Sequence, residues 1–470
     1  MAQVLAGLQP AKVFEYFEKI CAIPHGSRDT KKISDFCVQF AEQRGLPVRQ
    51  DAHNNVIIWK NATAGYETHP TVILQGHLDM VCEKEPDCDI DFTTDGLRLR
   101  VDGDMISADG TTLGGDDGIA VAYALALLDS DTIPHPPLEV VLTVDEEIGM
   151  LGATDIDLSM LKGRILLNID SEDEGILTVS CAGGATSTVT LPIRREKTSG
   201  KLLAVCVDGL QGGHSGVEIH KGRCNANKLL GELLEKMQPL QLVSIDGGQK
   251  DNAIPRSAVA RFFTNDAANF ETAKQDILNK YCAMEPNLQI TMQEESADAD
   301  AIVQSKAVVA LLNKLPNGVQ AMSREIEGLV QTSLNLGILK TCDDCVSMTF
   351  SVRSSVNTEK ADLIQALKDT GAEFGADYSQ MGEYPAWEYC HDSKLRPLMV
   401  ATFQELYGKE PVVEAIHAGL ECGILADKLP GLDAVSFGPD MTDIHTTREQ
   451  LSVSSVRRTW DYLCAVLARI

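Results

Sequence analysis

The chain repeats one pattern: a short apolar run, rich in β-branched residues, that stops at a histidine or a carboxylate. Residues 71–75 are followed by His77 and Asp79, residues 138–144 by Asp145-Glu146-Glu147, residues 164–169 by Asp170, and residues 434–437 by a loop that ends at His445. Each run reads as a buried strand. Helical patterning precedes them at 11–22 and 33–44 and lies between the first two at 119–129. Strands alternating with helices predict an α/β fold, a mostly parallel sheet flanked by helices and joined by right-handed crossovers. In such sheets ligands collect beyond the carboxyl ends of the strands, where this chain keeps its histidines and acids.

The glycine-rich stretch T-T-L-G-G-D-D-G at 111–118 runs into one of the helices. It lacks the G-x-x-x-x-G-K-[ST] pattern and a nearby lysine, and its Asp116 and Asp117 would repel phosphate but attract a cation. One aspartate can cap the helix; the other needs a different reason. His77, Asp116, Glu147, Asp170 and His445 then converge on one edge of the sheet. Imidazoles and carboxylates without thiolate suit two divalent ions, zinc foremost, with manganese or cobalt as alternatives. One carboxylate must bridge the ions, and Asp116 is the candidate. His77 and Asp79, two residues apart in extended chain, share a face. The Asp79 carboxylate is therefore expected to orient the imidazole through its second nitrogen.

A length of 470 residues is too great for one ordinary core, so two or more domains are expected. The 41 Lys and Arg stand against 68 Asp and Glu, a net charge of −27 that disfavours nucleic acid or an anionic membrane as partner. The longest apolar stretch, 118–128, is too short to span a bilayer, and the first ten residues carry no basic leader. The 13 cysteines form no regular framework, which implies reduced thiols and a cytoplasmic location. Cys342-Asp-Asp-Cys345 lacks the second pair that a zinc ribbon needs.

Between about 184 and 384 the patterning changes. Residues 186–192 and 202–207 alternate as strands of an antiparallel sheet with one solvated face, and 225–237 is an amphipathic helix. The passages V-S-I-D-G-G with D-N-A-I-P-R-S, and T-S-L-N-L-G with F-S-V-R-S-S, resemble each other and point to an internal duplication. The expected division is a first domain at 1–184 and 385–470, with an α+β domain inserted at 185–384.

Taken together, H-L-D, G-G-D-D-G, D-E-E-I-G-M, N-I-D-S-E, G-G-H-S-G and D-I-H resemble, in order and spacing, the M20 metallopeptidases. The likeness is to the aminoacyl-histidine and cytosol non-specific dipeptidase (peptidase D-like) branch, which H-A-G-L-E-C-G at 417–423 also resembles. The resemblance implies a di-zinc catalytic domain with a lid domain, and His77, Asp116, Glu147, Asp170 and His445 as ligands. It implies Asp79 as the orienting acid, Glu146 as general base and His214 as the residue that stabilises the oxyanion. It leaves open whether that histidine comes from the same chain or from a second copy in a homodimer. Relatives often have Asp-Asn where this chain has Asp116-Asp117, so Asp117 competes for the bridging position.

The implied reaction is hydrolysis of dipeptides with free termini, either Xaa-His dipeptides such as carnosine or a broad range. A dipeptide needs both ends recognised. Arg353 is a candidate for its carboxylate, because guanidinium binds carboxylate through two hydrogen bonds. Glu421 is a candidate for its amine. An aminoacylase or tripeptidase of the same superfamily is the alternative. A non-catalytic binding protein is more remote, since no ligand position and no general base is missing.

Overall fold

The structure is a computed structural model that describes residues 4–265, 267–296 and 299–470. The chain divides into two compact units. Unit 1 takes the chain up to Ser180 together with Tyr389–Ala415 and Leu420–Ile470, and unit 2 takes Cys181–Glu388 with Ile416–Gly419.

Unit 1 begins with two amphipathic helices, α1 (Ala11–Cys21) and α2 (Lys31–Gln43). Val13, Phe14, Phe17 and Ile20 of α1 recur at helical spacing and are buried on one side. Then come β1 (Val48–Gln50), β2 (Val56–Lys60), β3 (Val72–His77), α3 (Gly115–Asp129), β4 (Leu138–Thr143), β5 (Ile165–Asn168) and β6 (Ile176–Cys181). Every residue of β3 and of β4 is buried, which is why both read as unbroken apolar runs rather than alternating ones. Helix α3 is buried all round from Gly118 to Leu128, and it packs on α1 and β3.

Unit 2 follows with β7 (Gly183–Pro192), β8 (Lys201–Asp208), α4 (Ala226–Lys236), β9 (Gln241–Gly247), β10 (Ala258–Thr264), α5 (Phe270–Tyr281) and β11 (Gln289–Glu295). It continues through α6 (Ser305–Lys314), β12 (Val330–Thr341), β13 (Cys345–Ser354), α7 (Asn357–Glu373) and β14 (Asp377–Tyr384). These strands form one antiparallel sheet in the order β11-β8-β10-β9-β12-β13-β7-β14. The order resolves into two copies of one β-α-β-β-α-β plan. Strands β8, β9, β10 and β11 lie as β11-β8-β10-β9, and β7, β12, β13 and β14 lie as β14-β7-β13-β12. The first copy is nested between β7 and α6 of the second, and the two meet where β9 pairs with β12. Leu229, Leu230, Leu233 and Leu234 of α4 share a core with Val205, Ile245, Phe262 and Leu336, and β7 and β13 alternate buried and half-buried positions along part of their length, whereas β8 is buried from Leu202 to Val205.

The chain then returns to unit 1 with α8 (Leu395–Tyr407), β15 (Val412–Ile416), α9 (Glu421–Lys428), β16 (Asp433–Ser436) and α10 (Val453–Leu467). The finished eight-stranded sheet has the order β1-β2-β4-β3-β5-β16-β6-β15. Its central strands β4, β3, β5 and β16 are parallel. The expectation of a mostly parallel sheet holds for that centre alone. β1 pairs antiparallel with β2, β2 with β4, and β6 with β16, because these neighbours are reached without a helical crossover or from the opposite direction. Residues 416–419, expected with the first domain, belong to unit 2: the Ala182 N–H donates to the carbonyls of Ile416 (3.2 Å) and Ala418 (3.0 Å).

Candidate functional site

The four parallel strands end on the residues singled out from the sequence. β3 stops at His77, β4 runs on to Glu146 and Glu147, β5 to Asp170, and β16 leads into the loop that carries His445. Helix α3 starts beside them with Asp116. His77 Nε2 lies 3.0 Å from Asp116 Oδ1 and 3.9 Å from Asp170 Oδ1. His445 Nε2 lies 3.2 Å from Asp116 Oδ2 and 2.9 Å from Glu147 Oε1. The two oxygens of Asp116 thus face different histidines. Donor atoms of His77, Asp116 and Asp170 all lie within 4.8 Å of one another, as do those of Asp116, Glu147 and His445. Ligands about 2.1 Å from a zinc ion stand roughly 3–4 Å apart, so each triad fits a cation, and Asp116 is common to both.

Asp117 is otherwise engaged. Its Oδ2 accepts the His77 main-chain N–H at 3.1 Å, its side chain is fully buried, and it belongs to neither triad.

Asp79 meets His77 twice: His77 Nδ1 is 2.9 Å from the main-chain carbonyl of Asp79 and 3.5 Å from its carboxylate. The buried carboxylate also accepts from the Ser27 hydroxyl (2.8 Å), the Glu146 N–H (3.1 Å) and the Glu147 N–H (3.4 Å). The last two donors come from the turn after β4, where Asp145 has φ of 55°. Asp79 therefore fixes the turn that carries both glutamates.

The adjacent acids differ. Glu147 faces His445 in a triad with Asp116, whereas Glu146 belongs only to a third cluster, with His77 and Glu147, that lacks Asp116. Burial, with the charges of Glu421, Glu147 and Asp116, outweighs the pull of His77 and pushes Glu146 up to about 8. A cation held at Glu147 opposes that push. Burial, outweighed by hydrogen bonds to His445 and His77, leaves Asp116 well below the usual carboxylate range. His445 is pushed up to about 10 by its hydrogen bonds to Asp116 and Glu147.

Glu421 was expected to meet an amine, and the structure places it elsewhere. It is 0% exposed, beneath the strand ends of unit 1, and its Oε2 accepts from Gln75 Nε2 (2.6 Å) and Thr143 Oγ1 (2.6 Å). Burial pushes it up to about 7, and its charge is one of those that raise Glu146.

Sequence reasoning missed Glu449. This buried side chain accepts the N–H groups of Leu113 (2.7 Å), Gly114 (3.2 Å) and Gly115 (2.8 Å), and so holds the loop that presents Asp116. Nothing in T-R-E-Q marks that acid; its position four residues after His445 is the only hint.

In unit 2, His214 lies on a two-residue strand, Gly213–His214, paired with Ala253–Ile254. Its Nδ1 accepts the N–H groups of Gly216 (3.1 Å) and Val217 (3.2 Å), so the ring proton is on Nε2. Burial and the Arg353 charge lower its pKa, which keeps the ring neutral. Arg353, on β13, donates from Nη1 to the Tyr384 hydroxyl at 3.2 Å. Its buried Nε has no hydrogen-bond partner, and no carboxylate among the described residues pairs with it.

Comparison with known proteins follows the same lines. A relative from Escherichia coli (strain K12), "Cytosol non-specific dipeptidase", is 38% identical over 480 residues, which cover 99% of this chain and 99% of that protein. Aminoacylhistidine dipeptidase from Vibrio alginolyticus superposes with a TM-score of 0.94 at 38% identity, covering 99% of this chain and 98% of the other. Aminopeptidase PepT from Bacillus cereus shares the fold, with a TM-score of 0.58 at 16% identity over 98% of each chain. The family model for "Peptidase family M20/M25/M40" matches residues 73–469. The chain belongs to peptidase family M20/M25/M40.

Proposed function

We infer that the protein is a metal-dependent dipeptidase that hydrolyses dipeptides with free termini. The observation that carries the metal dependence is Asp116, whose two oxygens serve two histidine-carboxylate triads. The full-length likeness to proteins named as dipeptidases supports the substrate class. His77, Asp116 and Asp170 would hold one ion, and Asp116, Glu147 and His445 the other. The nitrogen and oxygen donor set suits zinc first, then manganese or cobalt. Bound there, divalent cations lower the pKa of a water molecule and polarise a carbonyl.

Glu146 takes the proton of the attacking water and returns it to the leaving amine. Its neighbour Glu147 faces His445, and Asp79 keeps both acids in place through their main-chain N–H groups. His214 offers Nε2–H to the developing oxyanion. Arg353, a half-buried cation with no carboxylate partner among the described residues, receives the dipeptide carboxylate. Work in the cytoplasm agrees with the name of the Escherichia coli relative. Among the described residues no helix is long and apolar enough to cross a membrane.

The test is a panel of dipeptides, Xaa-His included, with tripeptides and N-acetyl amino acids, assayed before and after chelation. Dipeptide cleavage lost on chelation and restored by Zn2+, Mn2+ or Co2+ is expected. Cleavage confined to tripeptides or N-acetyl amino acids would move the chain to those activities. Cleavage that survives removal of all bound metal would end the reading.

A further inference from the structure

Arg353 of β13 is directly opposite Ser333 of β12 on one side and Gly184 of β7 on the other. Gly184 is in turn opposite Tyr384 of β14. Opposed residues on antiparallel strands present their side chains on one face, so Ser333, Arg353, Gly184 and Tyr384 form a row across unit 2. Gly184 is required there: a Cβ would come within 2.6 Å of the Tyr384 hydroxyl, which reaches over it to Arg353.

The segment Ile416–Gly419 spans this row. His417 Nε2 lies 2.7 Å from Ser333 Oγ at one end. At the other, a Cβ on Gly419 would stand 2.7 Å from the Tyr384 ring. Arg353 lies between the two contacts. His417 is 6% exposed, its Nδ1 has no hydrogen-bond partner, and the adjacent Arg353 Nε has none either. Burial and the Arg353 charge outweigh a contact with the Val330 main chain and push His417 down to about 3, so the ring is neutral. When the Ser333 hydroxyl donates to Nε2, the ring proton sits on Nδ1. Two buried donors beside an uncompensated guanidinium match an anion with two oxygens.

We propose that His417, held through Nε2 by Ser333, is a specificity-determining residue whose Nδ1–H joins Arg353 in binding the terminal carboxylate of the dipeptide. This rests on the dipeptidase reading above. It makes the H-A-G-L segment part of how the protein tells a free carboxylate from an amide.

The test compares a dipeptide with its C-terminal amide, on metal-replete wild type and three variants. His417→Ala removes the ring. His417→Asn keeps an N–H close to the Nδ1 position, and His417→Gln keeps one close to Nε2. The preference for free acid over amide, as a ratio of kcat/KM, is expected to fall tenfold or more in the Ala and Gln variants. KM for the free acid should rise and kcat should change little, with Asn recovering most of the preference. An unaltered ratio in all three variants, or Gln recovering it as well as Asn, overturns the proposal. A wild type that cleaves no dipeptide overturns the dipeptidase reading itself. Thermal midpoints separate a packing role, which lowers stability and leaves the ratio where it was.

Discussion

Glu146 and Glu147 are neighbours with separate tasks, and single-atom changes should part them. Glu147 Oε1 faces His445 at 2.9 Å and completes a triad with Asp116, whereas Glu146 is absent from both triads that share Asp116. Glu146→Gln should keep full metal content and lose about 10²–10⁴-fold in kcat, the usual contribution of general acid–base work. Glu147→Gln should lower metal content at a fixed free metal concentration. Metal analysis and kcat on the same two preparations check both. His214 allows a similar separation, because Nδ1 holds a turn while Nε2 carries the free donor. Asparagine offers an acceptor near the Nδ1 position but nothing at Nε2. His214→Asn should therefore melt close to wild type and lose about 10²–10³-fold in turnover, the cost of one oxyanion donor. A large fall in melting temperature with normal turnover in the folded fraction would reduce His214 to a packing role.

At the scale of elements, the strand ends carry the site and the loops between them are held from afar. The Leu113–Gly115 main chain is fixed by Glu449, 336 residues later in the chain for Leu113. A carboxylate that accepts three N–H groups stands in for a helix cap and sets where Asp116 points. Glu449→Gln should weaken metal binding by about 10–100-fold, as lost support behind ligands does. Titration of apo protein with metal measures it, and wild-type affinity would show that the loop holds itself. The same contrast explains what the sequence makes legible. His77, Asp170 and the acids after β4 each follow a local apolar run, so their position at a strand end can be read from a few neighbouring residues. Glu449, Ser27 and His417 owe their places to contacts across the fold, and no local pattern reports those. Asp79 was legible beside His77 two residues away, but its backbone N–H donors were not, nor were Gln75 and Thr143 as the partners of Glu421. The nested order of unit 2 was audible only as two similar phrases, because one copy interrupts the other.

For the whole molecule, the site gathers negative charge that needs a cation. Burial pushes Glu146 up to about 8, Glu421 to about 7 and Glu172 to about 7. Hydrogen bonds to Asp116 and Glu147 push His445 up to about 10. The sign is the same for all four. A carboxyl whose folded pKa exceeds its unfolded value near 4.3 binds more protons when native, so stability falls as pH rises from about 4.3 to about 8. The raised histidine gives stability that is whole below about 6.5 and is lost as pH rises through about 10. Chelated protein should therefore melt progressively lower from pH 5 to pH 9. Bound metal reverses this, since it takes the ligands in their deprotonated forms and binds more tightly as pH rises. At a thousandfold excess over its Kd, one bound ion adds about 4 kcal/mol. The melting difference between metal-replete and chelated protein is expected to be small at pH 5 and to widen toward pH 8. Calorimetry across that range, with and without chelator, measures it. A difference that is flat with pH would mean that the buried acids are not what the metal neutralises.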